Sequence, residues 1–155
     1  MERILVVEDD PAVREMLVKI LELEGFSVHG VGGGPEAVAA VDEAAQPFDL
    51  IVLDLMLGEV SGYDVLRQLD RGGHREHTKV LVLTARASEP DILDGWRHRV
   101  DDYQTKPFDA SDLVEAVRET LHRSPEELDR FRKDQLRRAE LYNNLEAVFE
   151  DGRSL

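Results

Sequence analysis

The chain has no cysteine and a single tryptophan among its 155 residues. Disulfides and thiolate-held metals are therefore excluded, and the absence of thiols suits a reducing compartment. No apolar run approaches the roughly 20 residues that a membrane-spanning helix needs. The first residues lead straight into the strand-like Ile4-Leu5-Val6-Val7, which does not read as a leader peptide. Bases are also scarce, 19 against 33 acids, which leaves a net charge of −14. A nucleic-acid backbone repels such a chain, so direct DNA binding is not expected. Arg97-His98-Arg99 is the nearest thing to a basic patch, and it reads as a solvated helix end favoured by the C-terminal dipole.

Apolar residues make up 42% of the chain, enough for a core, and they come in a regular order. Short strand-like runs at Ile4–Val7, Phe26–Val31, Leu50–Leu53, Val80–Leu83 and, more weakly, Val100–Gln104 alternate with helical patterns. The first, third and fourth runs are continuously apolar, as central strands covered on both faces should be. Val13, Met16, Leu17, Ile20 and Leu21 recur at helical spacing behind Asp10-Pro11, a cap followed by a first-turn proline, and Gly25 closes that helix. Further helices are expected over Pro35–Ala45, Tyr63–Leu69, Glu89–His98 and Ala110–His122, the last opened by Asp109 with Asp112 three residues on. Such alternation predicts an α/β, flavodoxin-like, doubly wound five-stranded parallel sheet of order 2-1-3-4-5. Gly32-Gly33-Gly34 lacks the Gly-Lys-Ser/Thr of a phosphate loop and is taken as the turn after the second strand.

The chain divides into a domain over residues 1–122 and a helical extension over 123–155 with no recognisable effector domain. Ser124-Pro125-Glu126-Glu127 is a helix start, and Leu128, Phe131, Tyr142, Leu145 and Phe149 fall near one stripe that Gln135 and Arg138 interrupt. From Ser124 onward eight acids stand against six bases, which again argues against a DNA-binding unit. Three uses of this helix stay open: packing on its own domain, a homodimeric coiled coil, or partner binding.

In the predicted strand order, Glu8-Asp9-Asp10 ends the first strand, Asp54 the third and Thr84 the fourth, and the fifth leads to Lys106-Pro107. Three or four carboxylates thus converge at neighbouring strand ends. Two carboxylates about 4 Å apart repel by roughly 4 kcal/mol at an effective dielectric of 20, so the cluster calls for a cation, raised pKa values, or both. All-oxygen ligands with room left for water and phosphate favour Mg²⁺. Asp10, directly before Pro11, is assigned to capping, which leaves Glu8 and Asp9 as the acidic pair. Taken singly, Asp54 could be a turn residue, Thr84 a strand end and Lys106 solvated surface.

Four segments in order carry a specific resemblance: Ile4-Leu5-Val6-Val7-Glu8-Asp9-Asp10-Pro11, Leu53-Asp54-Leu55-Met56-Leu57, Leu83-Thr84-Ala85-Arg86 and Asp101-Asp102-Tyr103-Gln104-Thr105-Lys106-Pro107-Phe108. Over residues 1 to about 122 the chain resembles the receiver domains of bacterial two-component response regulators. The resemblance implies that Asp54 is the phosphoacceptor, attacking the phosphohistidine of a sensor histidine kinase or histidine phosphotransfer protein. It implies Mg²⁺ bound directly by Asp9 and Asp54, by the Met56 backbone carbonyl, and by Glu8 through water. Lys106 would pair with a phosphoryl oxygen, with a cis bond to Pro107, and Thr84 and Tyr103 would form a switch pair. A cytoplasmic location, a downstream protein target and a possible homodimer go with it, without membrane or DNA contact and without enzymatic turnover beyond the domain's own phosphoryl transfer and loss.

The chain departs from the family pattern at Gly58, where proline is common, and at His98-Arg99-Val100, where Ala-Gly-Ala is usual. Arg99 thereby stands where a glycine with positive φ is expected, which suggests a changed turn or strain. In the family the residues two beyond the phosphoacceptor and two beyond the threonine influence hydrolytic water. Here they are Met56 and Arg86, neither able to orient it, so the resemblance implies a long-lived phosphoform. A phosphorylation-independent scaffold of the same fold has no use for this charge cluster. A Mg²⁺-dependent phosphohydrolase would present Asp-x-Asp, and Asp54-Leu55-Met56 has no second acid.

Overall fold

The computed structural model describes residues 1–57, 60–85 and 99–151. The expected helix Glu89–His98, Gly58, Arg86 and the first two residues of the basic patch lie outside these. Five strands, β1 (Arg3–Val7), β2 (Ser27–Val31), β3 (Leu50–Asp54), β6 (Lys79–Thr84) and β7 (Asp102–Thr105), form one parallel sheet in the order β2-β1-β3-β6-β7. This is the predicted 2-1-3-4-5 order. A two-residue ribbon that the sequence reading did not anticipate, β4 (Met56–Leu57) against β5 (Val60–Ser61), follows β3.

Alternation along the central strands sends side chains to two cores. Ile4, Val6, Leu50, Val52, Leu81 and Leu83 face helices α1 (Pro11–Leu23) and α4 (Ala110–His122), which contribute Leu17, Leu21, Leu113 and Val117. Leu5, Val7, Ile51, Leu53, Val80 and Val82 face α2 (Gly34–Glu43) and α3 (Gly62–Arg71), which contribute Ala37, Val41, Val65, Leu66 and Leu69. Nearly all of these side chains are fully buried. The continuous apolar runs of the sequence reflect this two-sided burial.

The helix ends follow their capping chemistry. The Asp10 carboxylate accepts from the amides of Ala12 (2.9 Å) and Val13 (3.3 Å), with Pro11 at the first helical position. Asp109 and Asp112 make a reciprocal capping box on α4, and Ser124 with Glu127 does the same for α5 (Pro125–Asp151). The Lys79 ammonium caps the other end of α4, donating to the carbonyls of Leu121 (2.8 Å) and Arg123 (3.0 Å).

The first half of α5 packs back on the domain, where Leu128 and Ala139 are buried and Phe131 and Leu136 lie against the second core. Arg123 covers the Phe131 ring at 3.8 Å. Arg132 donates to the Val100 carbonyl (3.2 Å) and to the Asp101 carboxylate. Asp101 is itself buried, accepts the Val80 amide at 2.6 Å and has Arg75 at 3.9 Å. Leu145, assigned to the apolar stripe, is 45% exposed, as is its neighbour Leu141 at 57%; the side chains of Tyr142 and Phe149 lie outside the described ones. The last strand also differs from its expected span. It begins at Asp102, and Val100 is a buried turn residue ahead of it. In that turn Arg99 adopts φ 61°, so of the two expected outcomes, a changed turn or strain, the turn is kept and the left-handed conformation is borne at a cost of about 1–2 kcal/mol.

Candidate functional site

The register of the sheet decides which side chains meet. Val7 pairs with Leu53, so Glu8 and Asp54 leave the sheet side by side. Asp54 pairs with Leu83, which puts Thr84 one step further out. Thr84 in turn pairs with Thr105, and the Lys106 amide donates to the Thr84 carbonyl at 2.7 Å. The Lys106–Pro107 bond is cis, as the resemblance implied. One carboxylate oxygen from each of Glu8, Asp9 and Asp54 lies within 4.8 Å of the other two. Glu8 and Asp54 are buried and Asp9 is exposed, so the cluster opens to solvent on the Asp9 side. Asp10 turns away to cap α1.

Lys106 neutralises part of this charge. Its Nζ lies 2.9 Å from Asp54 Oδ2 and 3.4 Å from Glu8 Oε2. Burial works against both carboxylates, but their neighbours split them. Glu8 is pushed up to about 7 by burial and by the proton it shares with ionised Asp54, with Lys106 opposing. At Asp54, burial would raise the pKa, yet hydrogen bonds from Glu8, the Met56 amide (2.9 Å) and Lys106 outweigh it and hold the carboxyl below its ordinary range. Lys106 is held above its ordinary value, the cost of burial being exceeded by its two carboxylate partners. Glu8 is thus the more basic carboxyl of the two, partly protonated near neutral pH, and Asp54 is the one that keeps a free electron pair, as a nucleophile requires.

Hard oxygen donors around a solvent-facing gap suit Mg²⁺, which keeps several waters and takes few protein ligands. The donor set of Glu8, Asp9 and Asp54 fits that requirement. Thr84 is fully buried beside the cluster, and the Met56 side chain stands 46% exposed at its rim. Tyr103 is half-buried, and its hydroxyl lies 3.2 Å from that of Tyr63, in the first turn of α3.

Two residues near the site escaped the sequence reading. Tyr63 carries no signal beyond its apolar position in a helix. Arg14 donates from Nη1 to the Glu8 carbonyl at 2.9 Å. Its one sequence signal is a base at the end of the first helical turn, close behind three acids, where the helix dipole disfavours it.

Comparison with known proteins agrees with this geometry. The family model described as "Response regulator receiver domain" matches residues 4–118. The chain is 41% identical over 128 residues to the DNA-binding response regulator MtrA of Mycolicibacterium smegmatis, an alignment covering 81% of this chain and 53% of that protein. It thus spans about half the length of the curated relatives it matches. Among solved structures, the response regulator TrrA of Thermotoga maritima, in complex with Mg²⁺ and BeF, superposes with a TM-score of 0.66 at 31% identity, covering 77% of this chain and 99% of that one. The chemotaxis response regulator CheY4 of Vibrio cholerae shares the fold, with a TM-score of 0.72 at 24% identity over 77% of this chain and 98% of that one. With a matching family model over most of its length and its acids gathered at the carboxyl ends of a 2-1-3-4-5 sheet, the chain belongs to the response regulator receiver domains of two-component signalling systems.

Proposed function

We propose that residues 1–122 form a phosphorylation switch whose phosphoacceptor is Asp54, with 123–155 as a helical extension. The observation that carries this reading is Lys106 Nζ at 2.9 Å from the Asp54 carboxylate, in a cluster where oxygens of Glu8, Asp9 and Asp54 lie within 4.8 Å of one another. An Asp54 oxygen attacks the phosphorus of a phosphohistidine, the P–N bond breaks as the P–O bond of the acyl phosphate forms, and the imidazole leaves. Lys106 then follows a phosphoryl oxygen, as an ammonium point charge can. Asp9 and Asp54, the Met56 carbonyl and, through water, Glu8 would hold Mg²⁺, which supplies charge neutralisation for the transferring group. Thr84 and Tyr103 are the pair that reports the new charge, the hydroxyl moving toward it and the ring turning inward.

The donor is a sensor histidine kinase or histidine phosphotransfer protein, and the output runs through protein contacts in the cytoplasm. Among the described residues no helix is long and apolar enough to cross a membrane. Several relatives are named as DNA-binding or transcriptional regulators; the acidity of this chain argues against direct DNA contact by the portion in hand. Turnover is limited to the domain's own phosphorylation and its reversal.

The test is to incubate the protein with Mg²⁺ and acetyl phosphate, or with beryllofluoride. A single modification that requires Mg²⁺ and disappears in Asp54→Asn is expected. Modification that persists in Asp54→Asn, or none at all, sinks the assignment.

A further inference from the structure

Glu8 and Asp9 stand just past the last residue of β1, on a turn with few tethers. The Glu8 amide donates to the Val31 carbonyl at 3.1 Å, and a 3.4 Å bond joins the Asp10 amide to the Glu8 carboxylate. The Glu8 carbonyl accepts from Arg14 Nη1 at 2.9 Å, its one hydrogen bond among the described residues.

The path of that side chain is cut into β2. A Cβ at Gly30 would fall 3.1 Å from Val18 Cγ2, 3.2 Å from Arg14 Cγ and 3.4 Å from its Cδ. At Gly32 it would fall 2.9 Å from Nη1 and 3.7 Å from Cζ. Neither glycine has positive φ; among the described glycines only Gly25 and Gly73 do. What Gly30 and Gly32 supply is therefore space rather than backbone freedom. The first glycine of Gly32-Gly33-Gly34 thus has a use beyond ending a strand: it leaves room for the Arg14 guanidinium on its way to the Glu8 carbonyl.

We propose that Arg14, seated in the Gly30–Gly32 trough, is a positioning residue for the divalent-cation centre. By fixing the Glu8 carbonyl it sets the direction in which the Glu8 and Asp9 carboxylates leave the sheet. This rests on the reading of Glu8, Asp9 and Asp54 as a Mg²⁺ site and adds to it a residue that touches neither metal nor phosphate. Charge and position make opposite demands here. As a bare cation beside the cluster Arg14 repels Mg²⁺, so deleting it would tighten binding. As an anchor for a ligand-bearing turn, its loss loosens binding, by about tenfold or more for outer partners of metal ligands.

Isothermal titration of Mg²⁺ into the full chain separates the two, with wild type, Arg14→Met, Gly32→Ala, the double variant and Asp9→Asn. Gly32→Ala keeps the charge and displaces only the far end of a flexible side chain, so it folds even if Arg14→Met does not. Both single variants are expected to weaken Mg²⁺ binding about tenfold, and the double variant to bind no worse than Arg14→Met, because both changes remove the same contact. Urea unfolding of Gly32→Ala should match wild type. Mg²⁺ affinity unchanged or tighter in Arg14→Met, unchanged in Gly32→Ala, or additive losses in the double variant would overturn the role of Arg14. If wild type fails to bind Mg²⁺, or Asp9→Asn binds as wild type does, the cation site itself is wrong and the role of Arg14 falls with it.

Discussion

Lys106 Nζ and Asp54 Oδ2 are paired at 2.9 Å, and the same ammonium reaches Glu8 Oε2 at 3.4 Å, so one cation holds two buried carboxylates in register. Replacing it by Lys106→Met leaves those acids to each other. The Glu8 carboxyl, already at about 7, should move further up, since Lys106 is the group that lowers it. Carbon-detected NMR titration of the Glu8 side chain reads this directly. Phosphorylation by acetyl phosphate should slow at least tenfold in the same variant, a rise of about 1.4 kcal/mol or more in the barrier. A Glu8 carboxyl that stays put would show that Lys106 does not couple to it.

The raised Glu8 pKa has a definite consequence for the metal-free protein. An acid whose folded pKa exceeds its unfolded value binds more protons when folded, so stability falls as pH rises through the interval between them. Here that interval runs from about 4.5 to about 7, and the loss should be on the order of 3 kcal/mol at most. Asp54 has the opposite sign. Held below its ordinary value, it contributes stability that is lost only as pH falls through its folded pKa, so its window lies in strong acid. Urea denaturation in EDTA at several pH values should show stability falling between pH 5 and 7.5. Glu8→Gln should flatten that slope, and a slope unchanged by the substitution would contradict the assignment of the proton to Glu8.

Gly62 presses on the backbone that carries the phosphoacceptor. A Cβ there would stand 2.7 Å from the Asp54 carbonyl and 3.0 Å from Leu55 Cα, while the Gly62 amide donates to the Leu55 carbonyl at 2.8 Å. Backbone on both sides cannot yield as a side-chain tip can. Gly62→Ala is expected to destabilise the fold by about 1–3 kcal/mol and to slow phosphorylation as the end of β3 shifts. Gly32→Ala, facing a movable guanidinium, is the matched control, and equal urea midpoints for the two would refute the distinction.

Arg132 ties α5 to the turn before β7 through Asp101 and the Val100 carbonyl. Arg132→Met should release the helix while leaving the sheet intact, since Asp101 keeps Arg75 and the Val80 amide. The expected loss is roughly 1–3 kcal/mol. Hydrogen exchange should quicken over residues 125–139 and remain slow in β1 and β3. Uniform quickening would mean that the clamp supports the whole domain.

Much of this was legible in the chain itself, for reasons particular residues make plain. Ile4–Val7 and Leu50–Leu53 stand within a residue of their observed strands because two-sided burial leaves no polar residue to blur their ends. The weak fifth strand slipped by two residues, since Val100 is apolar through its place in a core turn and not through pairing. At Arg99, in a glycine's place, the sequence left a changed turn or strain open, and the φ of 61° shows that the turn is kept. In α5 the period revealed a helix but not its partner. Leu128 and Phe131 do face the domain, while Leu136 and Ala139 complete that face and Leu145 turns outward. The Arg14 contact left almost no trace, because it joins a guanidinium to a backbone carbonyl across two glycines, and only their juxtaposition in space gives it meaning.

The helix α5 is anchored over its first half and continues from Ala139 to Asp151, about 18 Å at 1.5 Å per residue. Geometrically that is a pointer with its pivot near Arg132. A tilt of about 5° at the pivot sweeps the tip at Asp151, about 28 Å away, through roughly 2.5 Å. An adjustment at the Arg99–Asp101 turn too small to disturb the core is thereby magnified at the far end of that helix.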